Sequence, residues 1–150
     1  MAWLRRETGL FPVSAEAPPD DTPEALRAEL ASLIRSVNAR SGRLPPAAAV
    51  TAREITDVLA ELVAEDRTPD IRTRVAIAAI VNDHLPTTLD AYLRVGDATG
   101  GPAGSLLDQL ESLLDEVISL QGAEHDRATD ALRTQEAFLR TKFSNSDLDL

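Results

Sequence analysis

The residues that could carry chemistry in this chain are two histidines, one serine that follows a glycine-rich stretch, and pairs of neighbouring acids. His84 and His125 are far apart, and neither has a second histidine at the spacing that places two ligands on one helix face. The chain has no cysteine, which excludes disulfides, thiol catalysis and metal sites built from thiolates. The sequence therefore predicts no metal site.

Catalysis without a metal is not indicated either. Ser105 follows the glycine-rich residues 100–104, but no Gly-x-Ser-x-Gly pattern surrounds it, so we expect it to cap a helix. General acid–base catalysis needs a desolvated carboxyl group with a raised pKa, whereas pairs such as Asp115–Glu116 fall on polar helix faces. We predict no catalytic residue and no cofactor, and a protein that is not an enzyme.

The charge of the chain points to a protein partner. Its 25 acidic and 15 basic residues give a net charge of −10, which argues against nucleic acid as a ligand. No Lys or Arg occurs over residues 96–126. Asp108, Glu111 and Asp115 share one face of a predicted helix there, and such a face attracts basic protein surfaces. We predict these three acids as partner-binding residues.

Residues 1–21 are predicted to form a flexible arm, because they hold three prolines and lack helical periodicity. Trp3, Leu4 and Phe11 are the predicted contact residues in this arm. Two interpretations stay open for them: packing on the helical body, or docking to a partner or weakly to a membrane surface through residues 1–11. The chain has no apolar run of the roughly 20 residues that span a membrane, and Met1–Arg6 does not begin a secretory signal, so we expect a cytoplasmic protein.

The remaining residues are predicted to form helices. Apolar residues recur at helical spacing, and Thr-Pro pairs precede two of the helical segments. With 150 residues, of which 43% are hydrophobic, the chain fits one domain. We predict an all-α fold, a helical bundle of five main helices over residues 22–143, followed by a flexible acidic tail at 144–150.

Three sequence features define the predicted arrangement of the helices. The run Val75–Val81 is apolar on every side, which is typical of a helix at the centre of a bundle. Pro86 predicts a kink or break near His84–Leu85 and a short helical extension after it. Gly122 predicts a junction between the fourth helix and a last helix over about residues 123–142, whose apolar side chains we expect to face inward.

The fourth helix carries a leucine-rich seam. Its members recur at helical spacing: Leu107, Leu110, Leu114, Val117 and Gln121. Such a seam is typical either of a bundle core or of a homodimer interface.

Three segments resemble one known family. Residues 84–93 (HLPTTLDAYL), 106–114 (LLDQLESLL) and 138–143 (FLRTKF) resemble the C-terminal helical region of the XpaC-like proteins, over about residues 70–145. The family label is 5-bromo-4-chloroindolyl phosphate hydrolysis, and its members accompany toxic-anion (tellurite) resistance proteins in bacteria. The resemblance implies a helical cytoplasmic domain, often tethered to a membrane, and transfers no catalytic residue to this chain.

The sequence therefore favours a non-catalytic interaction or regulatory module of a bacterial cytoplasmic assembly, to which the resemblance adds a link to toxic-anion stress. The bacterial origin is also indicated by the use of fourteen Arg and one Lys. Two alternatives remain: a phosphate-ester hydrolase, as the family label suggests, and a homodimerising structural protein.

Overall fold

The computed structural model describes residues 21–95 and 101–148, and the side chains of 21–95 and 103–146. Its elements are α1 (Pro23–Arg40), a 3₁₀ turn (Ser41–Arg43), α2 (Pro46–Leu62), α3 (Ile71–Ala79), a π-helical segment (Ile80–His84), α4 (Leu85–Val95) and α5 (Gly101–Leu148). Every one of these elements is helical, so the predicted all-α class is confirmed. Trp3, Leu4 and Phe11 lie outside the described residues.

The two Thr-Pro pairs start helices differently. Thr22 caps α1, because its side-chain oxygen accepts a hydrogen bond from the Ala25 N–H at 3.3 Å, and Pro23 occupies the first turn. The second pair, Thr68–Pro69, stays outside the helix, since α3 begins at Ile71.

The core of the bundle lies around α2, which packs against α1 on one side and α5 on the other. Seven of its residues are buried: Ala48, Ala49, Ala52, Ile55, Thr56, Leu59 and Leu62. The predicted central position of the third helix is not confirmed, because Ile71 and Val75 of α3 are more than half exposed. The apolar run in α3 includes three alanines, whose small side chains need little cover.

The π segment joins α3 and α4 into one continuous rod. The N–H of Leu85 bonds to the carbonyl of Ile80, five residues back, which makes the turn before Pro86 wider than an α-helical turn. In an α-helix the proline ring would clash with the carbonyl four residues earlier. The predicted break near His84–Leu85 is therefore replaced by a π turn through which the helix continues.

The π turn also keeps one face of this rod buried. The buried positions Thr73, Ile77, Val81, Leu85 and Leu89 are four residues apart, a spacing that advances about 40° around a regular α-helix at each step. The extra residue in the π turn rotates the later positions back by about 100°. As a result α4 faces the same core as α3.

The predicted fourth and fifth helices form the single helix α5. Gly122 lies inside this 48-residue helix, although glycine in a helix costs about 1 kcal/mol relative to alanine. The helix also includes residues 144–148, which were predicted to belong to a flexible tail. Residues 21–95 and 101–148 therefore form four helical rods, where the sequence predicted five main helices.

Only the first half of α5 lies against the bundle. Leu106, Leu110, Val117 and Glu124 are its buried residues among those with described side chains, and Leu110 and Val117 are fully enclosed by the chain's own helices. Leu110 and Val117 of the predicted leucine-rich seam thus belong to the intramolecular core and Leu114 packs against it, whereas Leu107 and Gln121 are half-buried. Residues 125–146 follow as an exposed helix, which we call the projecting segment.

Replacing Leu110 with asparagine tests this assignment of the seam. The change removes a fully buried side chain and places an amide in the core, so the free energy of unfolding should fall by about 3–5 kcal/mol. Ile118→Asn is the matched control, because Ile118 lies on the exposed side of the same helix. Urea denaturation of both variants measures the difference, and equal losses would contradict the assignment.

Candidate functional site

The buried seam of α5 continues into the projecting segment, where nothing in the described structure covers it. Leu110, Val117 and Glu124 are seven residues apart, and the same interval leads on to Ala131 and Phe138. Residues at this interval stay on nearly one face of a helix. The face that holds α5 in the bundle is therefore the face that it presents to solvent beyond Glu124.

We call this exposed face the apolar stripe. Its members are Ala128, Ala131, Leu132, Gln135, Phe138, Leu139, Lys142 and Phe143. The exposed fractions are 71% for Leu132, 58% for Phe138 and 64% for Phe143. Burial of one such side chain contributes about 1.5–3 kcal/mol, and a contiguous exposed apolar surface typically marks an interaction site.

The opposite face of the projecting segment carries charged side chains, which is typical of a solvent-exposed helix face. Arg133 lies 3.8 Å from the carboxylate of Asp130, and Arg140 donates to Glu136 at 2.7 Å. Pairs at these spacings stabilise an isolated helix by a few tenths of a kcal/mol each. The projecting segment thus has the two-sided composition of a helix that packs along one side.

A buried carboxylate fixes the base of the projecting segment. One oxygen of Glu124 accepts hydrogen bonds from the Asp70 N–H at 3.0 Å and the Thr73 hydroxyl at 2.7 Å. The other oxygen accepts two from the Arg127 guanidinium, which also donates to the Thr68 carbonyl at 2.8 Å. These bonds connect α5 to the loop before α3 and place a negative charge at the N-terminus of α3.

These contacts also set the ionisation of Glu124. Its burial by itself would raise the pKa of the carboxyl group. The hydrogen bonds from Arg127, Thr73 and Asp70, together with the charge of Arg127, outweigh that effect and hold the pKa of Glu124 below its ordinary value. The pKa of Arg127 is raised in turn by its hydrogen bond to Glu124.

An open cleft lies beside this carboxylate, between the projecting segment and the loop before α3. It is lined by Leu62, Asp66, Pro69 and Ala128 among others. Leu62 and Pro69 are buried, and the exposed side chains of the lining are mainly polar: Asp66, Arg67, Thr68, His125 and Arg127. The cleft adjoins the apolar stripe at Ala128.

The predicted acidic residues lie elsewhere. Asp108, Glu111 and Asp115 are exposed on the first half of α5, on the side away from the bundle. They form one continuous acidic face, as their spacing predicts, and their contact with a partner stays a prediction. Within the described ranges no three His, Asp or Glu side chains are grouped as metal ligands would be.

Sequence reasoning assigned the wrong environment to the end of α5. Phe138, Leu139 and Phe143 were expected to face inward, and the structure leaves them exposed. It also missed the role of Glu124, whose signal in the sequence is an acid at a position where the seven-residue spacing predicts an apolar side chain. An acid at such a position indicates a buried polar contact.

No family model, curated protein or solved structure matches this chain. The resemblance to the XpaC-like proteins therefore stays a prediction. None of the helices that the structure describes has the length and apolar character needed to cross a membrane.

Substitution of Glu124 by glutamine tests the polar contact at the base. The variant keeps the shape of the side chain but loses the charge that Arg127 contacts, so we expect a loss of about 1–3 kcal/mol in the free energy of unfolding at neutral pH. Because the folded-state pKa is lowered, this stabilisation is complete above the ordinary value of 4.5 and is lost as the pH falls through the folded pKa.

The difference between wild type and Glu124→Gln should therefore shrink on acidification, as followed by urea denaturation at several pH values. Glu116→Gln, on the exposed side of α5, is the matched control for the removal of one acid. A difference that stays constant from neutral pH to well below 4.5 would show that the charge of Glu124 does not contribute.

Proposed function

We propose that this protein is a non-catalytic interaction or regulatory module that binds a protein partner through the apolar stripe. The observation that carries the proposal is the exposure of Leu132, Phe138 and Phe143 on the same helix face that is fully buried at Leu110 and Val117. A helix placed in the groove beside this stripe would be held by the kind of packing that already joins α5 to α2.

The acidic first half of α5 contributes to the approach of the partner. Asp108, Glu111 and Asp115 are exposed, and no basic residue accompanies them over residues 103–126. Such a surface attracts a partner with a basic patch over a distance set by the ionic strength. Affinity then comes from the apolar stripe, and the acidic face mainly raises the rate of encounter.

The cellular setting of the proposal rests on the sequence. The absence of any apolar run of membrane-spanning length and the abundance of arginine favour a bacterial cytoplasmic assembly. The resemblance of residues 70–145 to the XpaC-like proteins adds the link to toxic-anion stress. Neither point depends on the geometry of the apolar stripe, so the two parts of the proposal are tested separately.

Site-specific photo-crosslinking tests the interaction surface. A photoreactive residue at position 139, in the apolar stripe, should give discrete covalent adducts when the full chain is expressed in its own cells. The same residue at position 137 is the matched control, because Ala137 is also exposed but lies on the charged side of the helix. Adduct masses in denaturing gels are the readout.

The added change Phe138→Asp should remove the adducts at position 139, because a charge in the stripe opposes its burial. Thermal unfolding of that variant should match the parent chain, since Phe138 lies outside the bundle core. Equal adducts at positions 137 and 139, or none at either, would contradict the proposal.

A further inference from the structure

We infer that the occupant of the apolar stripe is a second copy of this chain, whose projecting segment lies antiparallel to the first. This inference rests on the proposed function and names the partner for the same surface. It differs from a dimer through the leucine-rich seam of α5, because Leu110 and Val117 are already enclosed within one chain.

The sizes of the side chains along the stripe favour an antiparallel pair. The end near the bundle carries the small residues Ala128 and Ala131, whereas the far end carries Phe138 and Phe143. A parallel pair would place alanine beside alanine and phenylalanine beside phenylalanine, which leaves a gap at one end and crowding at the other. An antiparallel pair brings the alanines of each segment near the larger side chains at the far end of the other segment, which close packing favours.

One register satisfies all of these positions at once. When Gln135 lies opposite Gln135 of the second copy, Ala131 lies opposite Leu139 and next to Phe138, and Ala128 lies opposite Lys142 and next to Phe143. Leu132 then lies opposite Phe138 and next to Leu139 of the second copy, and the arrangement is the same from both chains. A two-fold axis through Gln135 relates the two segments, which is the symmetry of most homodimers.

Gln135 suits a position on that axis. Its amide group carries both a donor and an acceptor, so two such groups can bond to each other across the axis. A polar residue in an otherwise apolar helix interface fixes register, because any shift leaves its amide unpaired. Gln135 is the uncharged polar member of the apolar stripe, and it lies midway between Ala128 and Lys142.

The cleft at the base of the projecting segment receives the end of the second copy in this register. Phe143 of the second copy comes level with Ala128, the exposed apolar residue at the edge of this cleft. Lys142 of the second copy comes close to Asp66, an exposed acid of the same cleft. The two bundles lie at opposite ends of the paired helices.

The overlap of the two segments runs from about residue 128 to residue 143. Stable interfaces usually bury about 800 Å² on each partner and involve 20–30 residues a side. A single helix face of eight residues plus part of the cleft is smaller than such an interface. We therefore expect a dimer that dissociates on dilution, with the apparent mass rising from 16.1 kDa towards twice that value as the concentration increases.

Engineered cysteines test the register directly, because the chain has none of its own. Under mild oxidation of the full chain, Gln135→Cys should give a disulfide-linked dimer, while Ala137→Cys, on the charged side, stays monomeric. Leu139→Cys should not link to itself but should link when mixed with Leu132→Cys. Non-reducing gels measure the linked fraction, and matched thermal unfolding of the four variants shows that the bundle is intact.

Three outcomes of the cysteine experiment would contradict the proposed antiparallel dimer. Self-linking of Leu139→Cys as efficient as that of Gln135→Cys would show a parallel pair and overturn the antiparallel register. A Gln135→Cys chain that links only after residues 1–20 are removed would show that the N-terminal arm covers the stripe. No linking above the Ala137→Cys level would overturn self-association, and adducts from position 139 with a different protein would then leave the proposed function in place.

Discussion

The packing of α5 against α2 is the interaction on which the rest of the structure depends. It joins the face of α5 that holds the fully buried Leu110 and Val117 to the bundle, and α2 itself has seven buried residues. The two helices differ greatly in length, about 26 Å for the 17 residues of α2 and about 72 Å for the 48 residues of α5. Since no bundle of such short helices can cover α5 completely, part of α5 must extend beyond it, and Leu132, Phe138 and Phe143 give that part an apolar face.

Glu124 marks the point where this cover ends. The carboxylate occupies a place in the seam that an apolar side chain would fill elsewhere, and it is held by donors from Asp70, Thr73 and Arg127. Buried ionised groups are tolerated when they are paired in this way. The contact aligns the exit of α5 with the loop before α3, so the direction of the projecting segment is set by the core and not by the segment itself.

The sequence predicted local structure better than tertiary environment. The start of α1 at Thr22–Pro23 and the buried side of α5 at Leu110 and Val117 follow from capping and spacing, which depend on near neighbours. Periodicity identifies the apolar side of a helix, but it cannot say what covers that side. For this reason Phe138 and Phe143 were expected in a core that does not reach them.

The other differences arise where packing outweighs intrinsic preference. Gly122 does not end a helix, because the burial of Val117 before it and the hydrogen bonds of Glu124 after it hold both flanks in α5. Pro86 does not break the helix, because the π turn before it provides room for the ring. The polar contact around Glu124 joins residues more than 50 positions apart, and no local pattern in the sequence reports such a pairing.

The π turn has a consequence for how this chain can change in evolution. It is equivalent to a one-residue insertion in a regular helix. Loss of one residue between Ile80 and His84 would therefore give a more regular helix but a less stable domain. Leu85, Leu89 and Tyr92 would then turn away from the interior by about a quarter of a turn. Relatives of this protein should therefore conserve the length of this segment more strictly than its residue types, whereas α5 beyond Phe143 can lengthen or shorten freely.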